Sequence, residues 1–281
     1  MKISVLINNY NNGSWLRQCI ESVLAQTRPV DELVVYDDGS TDDSLKILRS
    51  YGDRIRLIEG THDDTRWGIA SQGHAVERAL AFSRGDHIYL LDGDDAFCPD
   101  KIEAYENAWR ACPDAVMVQA VMALIDTEGA FLKTNFEMKK HPADFYEATY
   151  KGGDTDLYYW TSALAFRRSF IEQLLPADFS DGIKAALDCR LAALAPLFGP
   201  VISLREPLTY WRQHAGSLSR LHGGTPWQGL WTRYAYFNKY AKKAGVRQLR
   251  FWRNKTFYKE VGKRFGPSWM RVLWARHYAK R

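Results

Sequence analysis

Asp92, Asp94 and Asp95 place three carboxylates within four residues, directly behind the apolar run Ile88-Tyr89-Leu90-Leu91. Carboxylates packed this tightly repel one another, and a divalent cation relieves the repulsion. A cluster offering only oxygen suits Mg2+ or Mn2+. Asp92 and Asp94, two residues apart, can reach a single ion or an ion-bridged diphosphate. The competing reading is an acidic turn, since Asp-Gly is a common turn dipeptide. Two more polar stretches follow apolar runs in the same way. Asn8-Asn9-Tyr10-Asn11-Asn12-Gly13 comes after Ile3 to Ile7, and Asp37-Asp38-Gly39-Ser40-Thr41 comes after Leu33-Val34-Val35. A nucleotide could bridge all three, with a carboxylate on the base or ribose and a metal on the diphosphate. For Asp38-Gly39-Ser40 alone, a turn followed by a helix cap explains the residues as well.

Such mouths need strands that end together. Short apolar runs with little alternation read as buried parallel strands, and ligands of open α/β sheets bind at the carboxyl ends of such strands. The pattern predicts strands at Ile3 to Ile7, Asp31 to Tyr36, Ile55 to Ile58 and His87 to Leu91. Between and after them it predicts helices over Trp15 to Gln26, from Ser40 through Leu48, over Ala70 to Phe82, and over Asp100 to Ala111. Ser40 with Asp43 three residues later resembles a capping box for the second helix. Strand and helix alternating in this way indicate βαβ units. Ala115 to Ile125 follows as a long strand. The second half is less regular. Lys133 to Thr155 shows no clear period and is expected to be a loop over the site. A short apolar run spans Ala163 to Phe166, a helix spans Ile183 to Phe198, a strand spans Val201 to Leu204, and Pro207 to Arg212 leads into Gln213-His214-Ala215-Gly216-Ser217. Asp188 sits among Ala185, Ala186, Leu187 and Leu191, an unusual setting for an acid unless it faces solvent.

The chain has 281 residues with 46% hydrophobic content, enough for a large core. Its four cysteines, Cys19, Cys98, Cys112 and Cys189, form no CxxC pair, which argues against a zinc ribbon or disulfide framework and fits a reducing compartment. No run of apolar residues reaches the roughly 18 that a membrane span needs. The N-terminal apolar run enters Asn8-Asn9 too soon for a signal peptide, so a cytoplasmic protein is expected. Charge is uneven. Fifteen of the 38 Lys and Arg residues, but one of the 33 acids, fall between Trp231 and Arg281, which leaves an acidic body and a strongly basic tail. In that tail Trp231, Tyr234, Phe237, Phe251, Trp252, Phe257, Phe265, Trp269 and Trp274 are interleaved with the basic residues. Aromatic and basic residues at helical spacing suit an anionic membrane surface, giving peripheral attachment at the inner membrane face. The alternative is that the rings pack on the body and the charges are merely solvated. The tail contains no recognised nucleic-acid module, and no nucleic-acid partner is expected.

Taken together, Ser4-Val5-Leu6-Ile7-Asn8-Asn9-Tyr10-Asn11, Ser22-Val23-Leu24-Ala25-Gln26-Thr27, Glu32-Leu33-Val34-Val35-Tyr36-Asp37-Asp38-Gly39-Ser40-Thr41-Asp42 and Leu91-Asp92-Gly93-Asp94-Asp95 resemble family 2 glycosyltransferases, in that family's order and spacing. The resemblance runs from residue 1 to about 110 and more weakly over 155 to 220; it does not reach the tail. It implies the α/β GT-A fold, a Rossmann-like, mixed but mainly parallel sheet flanked by helices, with a C-terminal helical basic extension. It also implies a nucleotide-sugar donor, a divalent cation (Mn2+ or Mg2+) and transfer with inversion. Residues 1–225 would be the catalytic domain, with a nucleotide-binding half (1–110) and an acceptor-binding half (111–225), and 226–281 the basic aromatic tail. By the same resemblance Asp38 contacts the nucleoside, Asn8 and Tyr10 approach the base, Asp92 and Gly93 belong to the nucleotide site, and Asp92 with Asp94 forms the DxD metal pair. The family's base lies in an acid-Asp motif on a helix start before the last strand. Leu187-Asp188 stands there, so Asp188 takes the role although the preceding acid is missing. Tyr210-Trp211-Arg212-Gln213-His214-Ala215-Gly216-Ser217 resembles the family's Tyr-Arg-x-His-x-x-Ser segment. It offers His214 as a third metal ligand, with Arg212 and Ser217, along with Trp160, as diphosphate or acceptor contacts. Many members carry an Arg-Asn pair in the helix before the DxD strand. This chain has Gly68-Ile69-Ala70-Ser71-Gln72-Gly73-His74-Ala75, closer to a Gln-Gly variant, which makes Gln72 the donor contact from that helix.

The expected activity is therefore metal-assisted, inverting transfer of a sugar from a nucleoside diphosphate to a hydroxyl of a glycan or glycolipid. Three other readings compete. A nucleotidyltransferase would need a basic Gly-rich loop after the first strand, and Asn8 to Gly13 contains no basic residue. A catalytically inactive nucleotide-sugar-binding or scaffold protein would not need Asp92, Asp94, Asp188 and His214 all intact. A binder of anionic polymers acting through the tail would show salt-sensitive binding without nucleotide.

Overall fold

A computed structural model describes residues 1–66, 68–135, 141–150, 157–177, 179, 186–216, 226–243 and 248. Its elements are β1 (Ile3–Asn9), α1 (Gly13–Leu24), β2 (Glu32–Asp37), α2 (Ser44–Arg49), β3 (Arg56–Glu59), α3 (Gly68–Ala81), β4 (His87–Asp92), β5 (Ala96–Phe97), α4 (Lys101–Ala111), β6 (Met117–Ile125), β7 (Phe131–Thr134), α5 (Phe145–Tyr150), β8 (Leu164–Arg167), α6 (Arg168–Ile171), α7 (Leu187–Leu194), β9 (Val201–Arg212) and α8 (Pro226–Lys243).

The strands form one sheet in the order β3-β2-β1-β4-β8-β6-β9-β5, with β7 on the far end of β6. The first four are parallel, as the alternation predicts. β8 then runs antiparallel between β4 and β6, and β9 returns parallel to β6, so the sheet is mixed but mainly parallel. β1 is flanked by β2 on one side and β4 on the other, which makes it the switch point where a crevice opens beyond the strand ends. Register brings the polar tips level. Asn9 lies opposite Asp37 on β2, and Asn8 lies opposite Asp92 on β4. A slip of one residue would turn each of these side chains to the other face.

Side chains of the inner strands alternate between two apolar layers. Ile3, Val5 and Ile7 of β1, with Tyr89 and Leu91 of β4, pack under α1, α2 and α4. Leu6, Ile88 and Leu90 pack on the opposite face with α3, α7 and α8. Both faces are covered, which is why these strands read as continuous apolar runs. The first part of the basic C-terminal stretch belongs to this core, since Tyr234, Tyr236, Phe237 and Ala241 of α8 are buried with α7. For Tyr234 and Phe237, packing on the body is the arrangement found. Nothing is described of the Trp231 side chain, and the aromatic residues from Phe251 on lie outside the described residues. No described helix is long and apolar enough to cross a membrane.

Four local expectations change. α2 begins at Ser44 with Asp43 as its cap and no side-chain cap bond. Ser40 makes no capping box because its hydroxyl donates to Asp37 Oδ1 at 2.7 Å instead. The stretch expected as a loop over 133–155 contributes to β7 and forms α5, while 136–140 and 151–156 lie outside the described residues. The helix expected over 183–198 runs from Leu187 to Leu194 and tightens into a 3-10 turn at Ala195–Leu197, where Pro196 has no N–H to continue the α ladder. Residues 183–185 lie outside the described residues. The two apolar stretches at 201–204 and 207–212 are a single strand, β9, whose register against β6 shifts around Val121.

Candidate active site

The carboxylates sit on a turn held from three sides. Asp95 N–H donates to Asp92 O, which closes the turn, and Gly93 N–H donates to Asn8 O of β1. A Cβ on Gly93 would stand 2.7 Å from Asn9 Oδ1, so the turn can lie this close to β1 only with glycine there. One ligand atom from each of Asp92, Asp94 and Asp95 lies within 4.8 Å of the others. Asp95 is the innermost, and the motif reading did not assign it a role. Its Oδ2 accepts from Ser162 Oγ at 2.6 Å and its Oδ1 accepts from Arg212 N–H at 2.8 Å. Asp92 Oδ1 accepts from Asn8 Nδ2 at 2.9 Å and from Gln72 Nε2 at 2.7 Å. Both amides expected to meet the donor are thus aimed at the DxD carboxylate. His214 Nε2 is 2.8 Å from Asp94 Oδ2, and its ring lies against Trp15, a residue the motifs did not reveal.

Crowding and burial tell on these groups. Asp92 is pushed up to about 7, first by burial and then by the neighbouring Asp94. Burial and the same neighbours hold Asp95 well above the usual carboxylate range. Burial first, and repulsion among the three carboxylates second, disfavour their being ionised together without a counter-charge. The donor set fits a hard divalent cation. Carboxylate oxygens of Asp92 and Asp94 remain partly exposed, and His214 Nε2 stands from Asp94 at about the 3 Å that separates adjacent ligands in an octahedron with bonds of about 2.1 Å.

Beneath this turn lies a buried lysine. Lys101 Nζ donates to Ser162 O at 2.5 Å and to Thr209 Oγ1 at 2.8 Å, and stands 3.9 Å from the Phe97 ring centre. Burial lowers its pKa well below the usual lysine range. It fixes the backbone of Ser162, whose hydroxyl also receives Asp92 N–H. Arg212, expected at the diphosphate, is buried, and its guanidinium donates to Asp94 O, Asp126 O, Thr127 O and Gln18 Oε1. Those bonds brace the acidic turn against α1 and the end of β6.

At the other end of the crevice, Asp38 Oδ2 meets His62 Nδ1 at 2.7 Å, and the His62 ring stacks on Tyr10 with centroids 4.0 Å apart. Asp38 Oδ1 is buried with no partner among the described residues. His62 carries no motif and was not anticipated. Asp188, buried in the first turn of α7, receives Thr161 Oγ1 on Oδ2 at 3.0 Å, and Thr161 in turn accepts from Gln72 Nε2 at 3.3 Å. Gln72 therefore links Asp92 to the Thr161–Asp188 pair. Trp160 stacks on Trp211 at 4.4 Å. Ser217 lies outside the described residues.

Of the sequence-predicted residues, the structure gathers Asn8, Gln72, Asp92, Gly93, Asp94, Arg212 and His214 around one turn, joins Asp188 to Gln72 through Thr161, and sets Tyr10 and Asp38 on the adjoining strand tips. The profile of Glycosyl transferase family 2 matches residues 4–175. This chain belongs to glycosyl transferase family 2. The glycosyltransferase is 31% identical over 222 residues to a protein of Nostoc sp. named as an uncharacterized glycosyltransferase, covering 77% of this chain and 66% of that one. It is 33% identical over 137 residues to chondroitin synthase of Escherichia coli, covering 48% of this chain and 19% of the synthase. The chain thus spans under two thirds of these relatives. Among solved structures it resembles TarS of S. aureus in complex with UDP, with TM-score 0.64 and 16% identity over 95% of this chain and 73% of that one. It also resembles the mannosyltransferase PcManGT of Pyrobaculum calidifontis in complex with GDP-Man and Mn2+, with TM-score 0.55 and 17% identity over 99% of this chain and 79% of that one. At these identities the likeness establishes the GT-A fold of the glycosyltransferase.

Proposed function

We propose that this glycosyltransferase transfers a sugar from a nucleoside diphosphate to an acceptor hydroxyl with inversion, assisted by Mn2+ or Mg2+. The observation that carries the proposal is the bonded line from Asp92 through Gln72 and Thr161 to Asp188, which sets an acid suited to proton removal at a fixed place beside an acid suited to a cation. Asp92, Asp94 and His214 would hold the ion, which supplies positive charge to the departing diphosphate. Asp38 and Tyr10 bind and orient the nucleoside, Asp38 through its unpartnered Oδ1. Asp188 accepts the proton of the attacking hydroxyl; each of its oxygens carries one hydrogen bond and keeps a lone pair for that proton. The stacked Trp160 and Trp211 offer a flat apolar face for the acceptor sugar, and Ser217 is proposed near the diphosphate. We assign the donor-binding half to residues 1–110, the acceptor half to 111–225, and the basic stretch from 226 to a separate role. The charge beyond Lys243 supports peripheral contact with an anionic membrane carrying a glycolipid acceptor.

Three measurements test this reading. Thermal-shift titration with nucleoside diphosphates and nucleotide sugars, starting from UDP, UDP-GlcNAc and GDP-Man because the fold neighbours hold them, is expected to show stabilisation that Mn2+ or Mg2+ increases. Asp188→Asn is expected to abolish transfer while donor binding survives; retained turnover would remove Asp188 as the base. Vesicle binding unchanged by deletion of residues 244–281 would remove the membrane contact.

A further inference from the structure

α7 carries Asp188 and is poorly equipped to hold it. The helix has eight residues, and its cap residue Ala186 offers no side-chain bond to the first turn. Two turns of helix are marginal in isolation, so the orientation of α7 must come from what it packs against. One grip is the Thr161–Asp188 bond. A second lies two residues on, which on an α-helix is nearly the opposite side. There Arg190 is fully buried, with its guanidinium carbon 4.8 Å from the Phe179 ring centre and 4.9 Å from that of Tyr236. Both contacts lie within cation–π range.

The two rings come from different places. Phe179 presses on α3, where a Cβ on Gly73 would stand 2.4 Å from its ring, and Gly73 is next to Gln72, the residue bridging Asp92 and Thr161. Tyr236 belongs to α8 and is buried in the same core with Tyr234 and Phe237, its ring also against Tyr240. The arginine clamp therefore ties together the helix that carries Gln72, the helix that carries Asp188, and the start of the basic C-terminal stretch.

We infer that Tyr236 of α8 is a positioning residue for sugar transfer, setting the rotation of α7, and hence the aim of Asp188, through the Arg190 guanidinium. This gives the C-terminal helix a part in catalysis besides any surface contact. The inference rests on the proposed role of Asp188. A rotation of α7 that moves the carboxylate by about 1 Å is enough to cost up to a hundredfold in rate without touching the donor site.

The test compares Tyr236→Leu, which keeps apolar bulk but removes the π face, with Tyr236→Phe, which keeps the face and loses the hydroxyl. Turnover of the donor identified by the thermal-shift screen is measured, along with the Kd of its nucleoside diphosphate, the melting temperature, and amide exchange over 187–194. Tyr236→Leu is expected to lower kcat about tenfold, leave Kd and donor KM within twofold, and speed exchange in α7, while Tyr236→Phe stays within about threefold of the parent in kcat. Unchanged kcat in a folded Tyr236→Leu protein overturns the inference, and so does a loss of kcat matched by an equal weakening of Kd. Should Tyr236→Leu fail to fold, Tyr236→Met takes its place with the same expected split. Asp188→Asn, assayed alongside, separates the two claims. If it retains turnover, the reading of the base has failed; if it is inactive and Tyr236→Leu is not impaired, only the clamp has.

Discussion

The two walls of the crevice are built by different means. The donor wall is the row of tips of β1, β2 and β4, where parallel register alone brings Asn8, Asn9, Asp37 and Asp92 abreast. Its loops are then laced by short bonds. Asn9 Nδ2 and Ser40 Oγ both donate to Asp37 Oδ1 at 2.7 Å, Ser40 N–H donates to Asp37 Oδ2, and Asn11 N–H donates to Ser40 Oγ. The proposed acceptor wall is made of the turn at Thr161–Ala163, the short helix α7 and the end of β9, which among the described residues are joined by side chains distant in sequence. Backbone register fixes the donor wall before any side chain is chosen. The acceptor wall is fixed by a few long-range grips and can be retuned by substituting them. On the proposed function, donor binding and catalytic aim are therefore expected to be separable.

The sharpest way to break that separation is at the cation. Asp94→Asn is expected to reduce transfer by at least about 10^3-fold and to remove the Mn2+-dependent part of the thermal stabilisation by nucleoside diphosphate. Asp188→Asn loses turnover alone. Loss of metal-dependent binding in both variants would show that the walls are one unit, and its retention in Asp94→Asn would remove Asp94 as a metal ligand.

Arg212 is the seam between the walls, since it braces the acidic turn against α1 and the end of β6. Arg212→Met removes those four bonds and takes the donor from Asp94 O and Gln18 Oε1, while Asp126 O and Thr127 O keep bonds from Gly129 N–H and Trp15 Nε1. A loss of about 3 kcal/mol is expected, read as a fall in melting temperature of about 6–12 °C for a domain this size. A stable Arg212→Met protein with weakened nucleotide affinity would instead return the side chain to the diphosphate. Thr161→Val comes next. It keeps volume but frees Asp188 Oδ2 and Gln72 Nε2, and is expected to lower kcat about tenfold with nucleoside diphosphate affinity within twofold. An affinity loss matching the kcat loss would show that Thr161 serves the donor.

These differences also explain what could be read before the fold was known. The donor wall was legible because its residues are local. A buried strand announces itself as an apolar run, and its tip begins at the first polar residue after it, so Asn8, the pair Asp37-Asp38 and Asp92 fall out of pattern and motif together. Mouths on one edge follow from βαβ alternation alone. On the acceptor wall the motif placed Asp188 and His214, but nothing in the sequence says that Thr161 would meet Asp188 or that Lys101 would be buried under Ser162, because those contacts depend on how β8 enters antiparallel between β4 and β6. Arg212 shows the limit in the other direction. A motif carries a residue type to a position but does not fix where its donors point, and here they turn inward. Ser40 failed as a cap for a related reason, since Asp37 competes for its hydroxyl at shorter range. The aromatic and basic spacing of the C-terminal stretch could not by itself distinguish a membrane face from a core face, and for Tyr234 and Phe237 the core takes the rings.

The smallest effect is expected at the far end of the donor wall, where His62 stacks on Tyr10 and holds Asp38 Oδ2. His62 is partly exposed, so His62→Ala is expected to change folding stability by no more than about 0.5 kcal/mol. Without the imidazole, Asp38 is free to turn and the Tyr10 ring loses its cover. Losing one such preorganising bond costs about 1 kcal/mol in nucleoside diphosphate binding, or about fivefold in Kd. Because the cation would bind at the opposite end of the nucleotide, the penalty should be the same with and without Mn2+. Calorimetric titration of parent and His62→Ala protein under both conditions checks this. A penalty that appears only with Mn2+ would mean that the base and diphosphate ends of the donor wall are coupled, and the rigid, independent donor wall argued above would have to be abandoned.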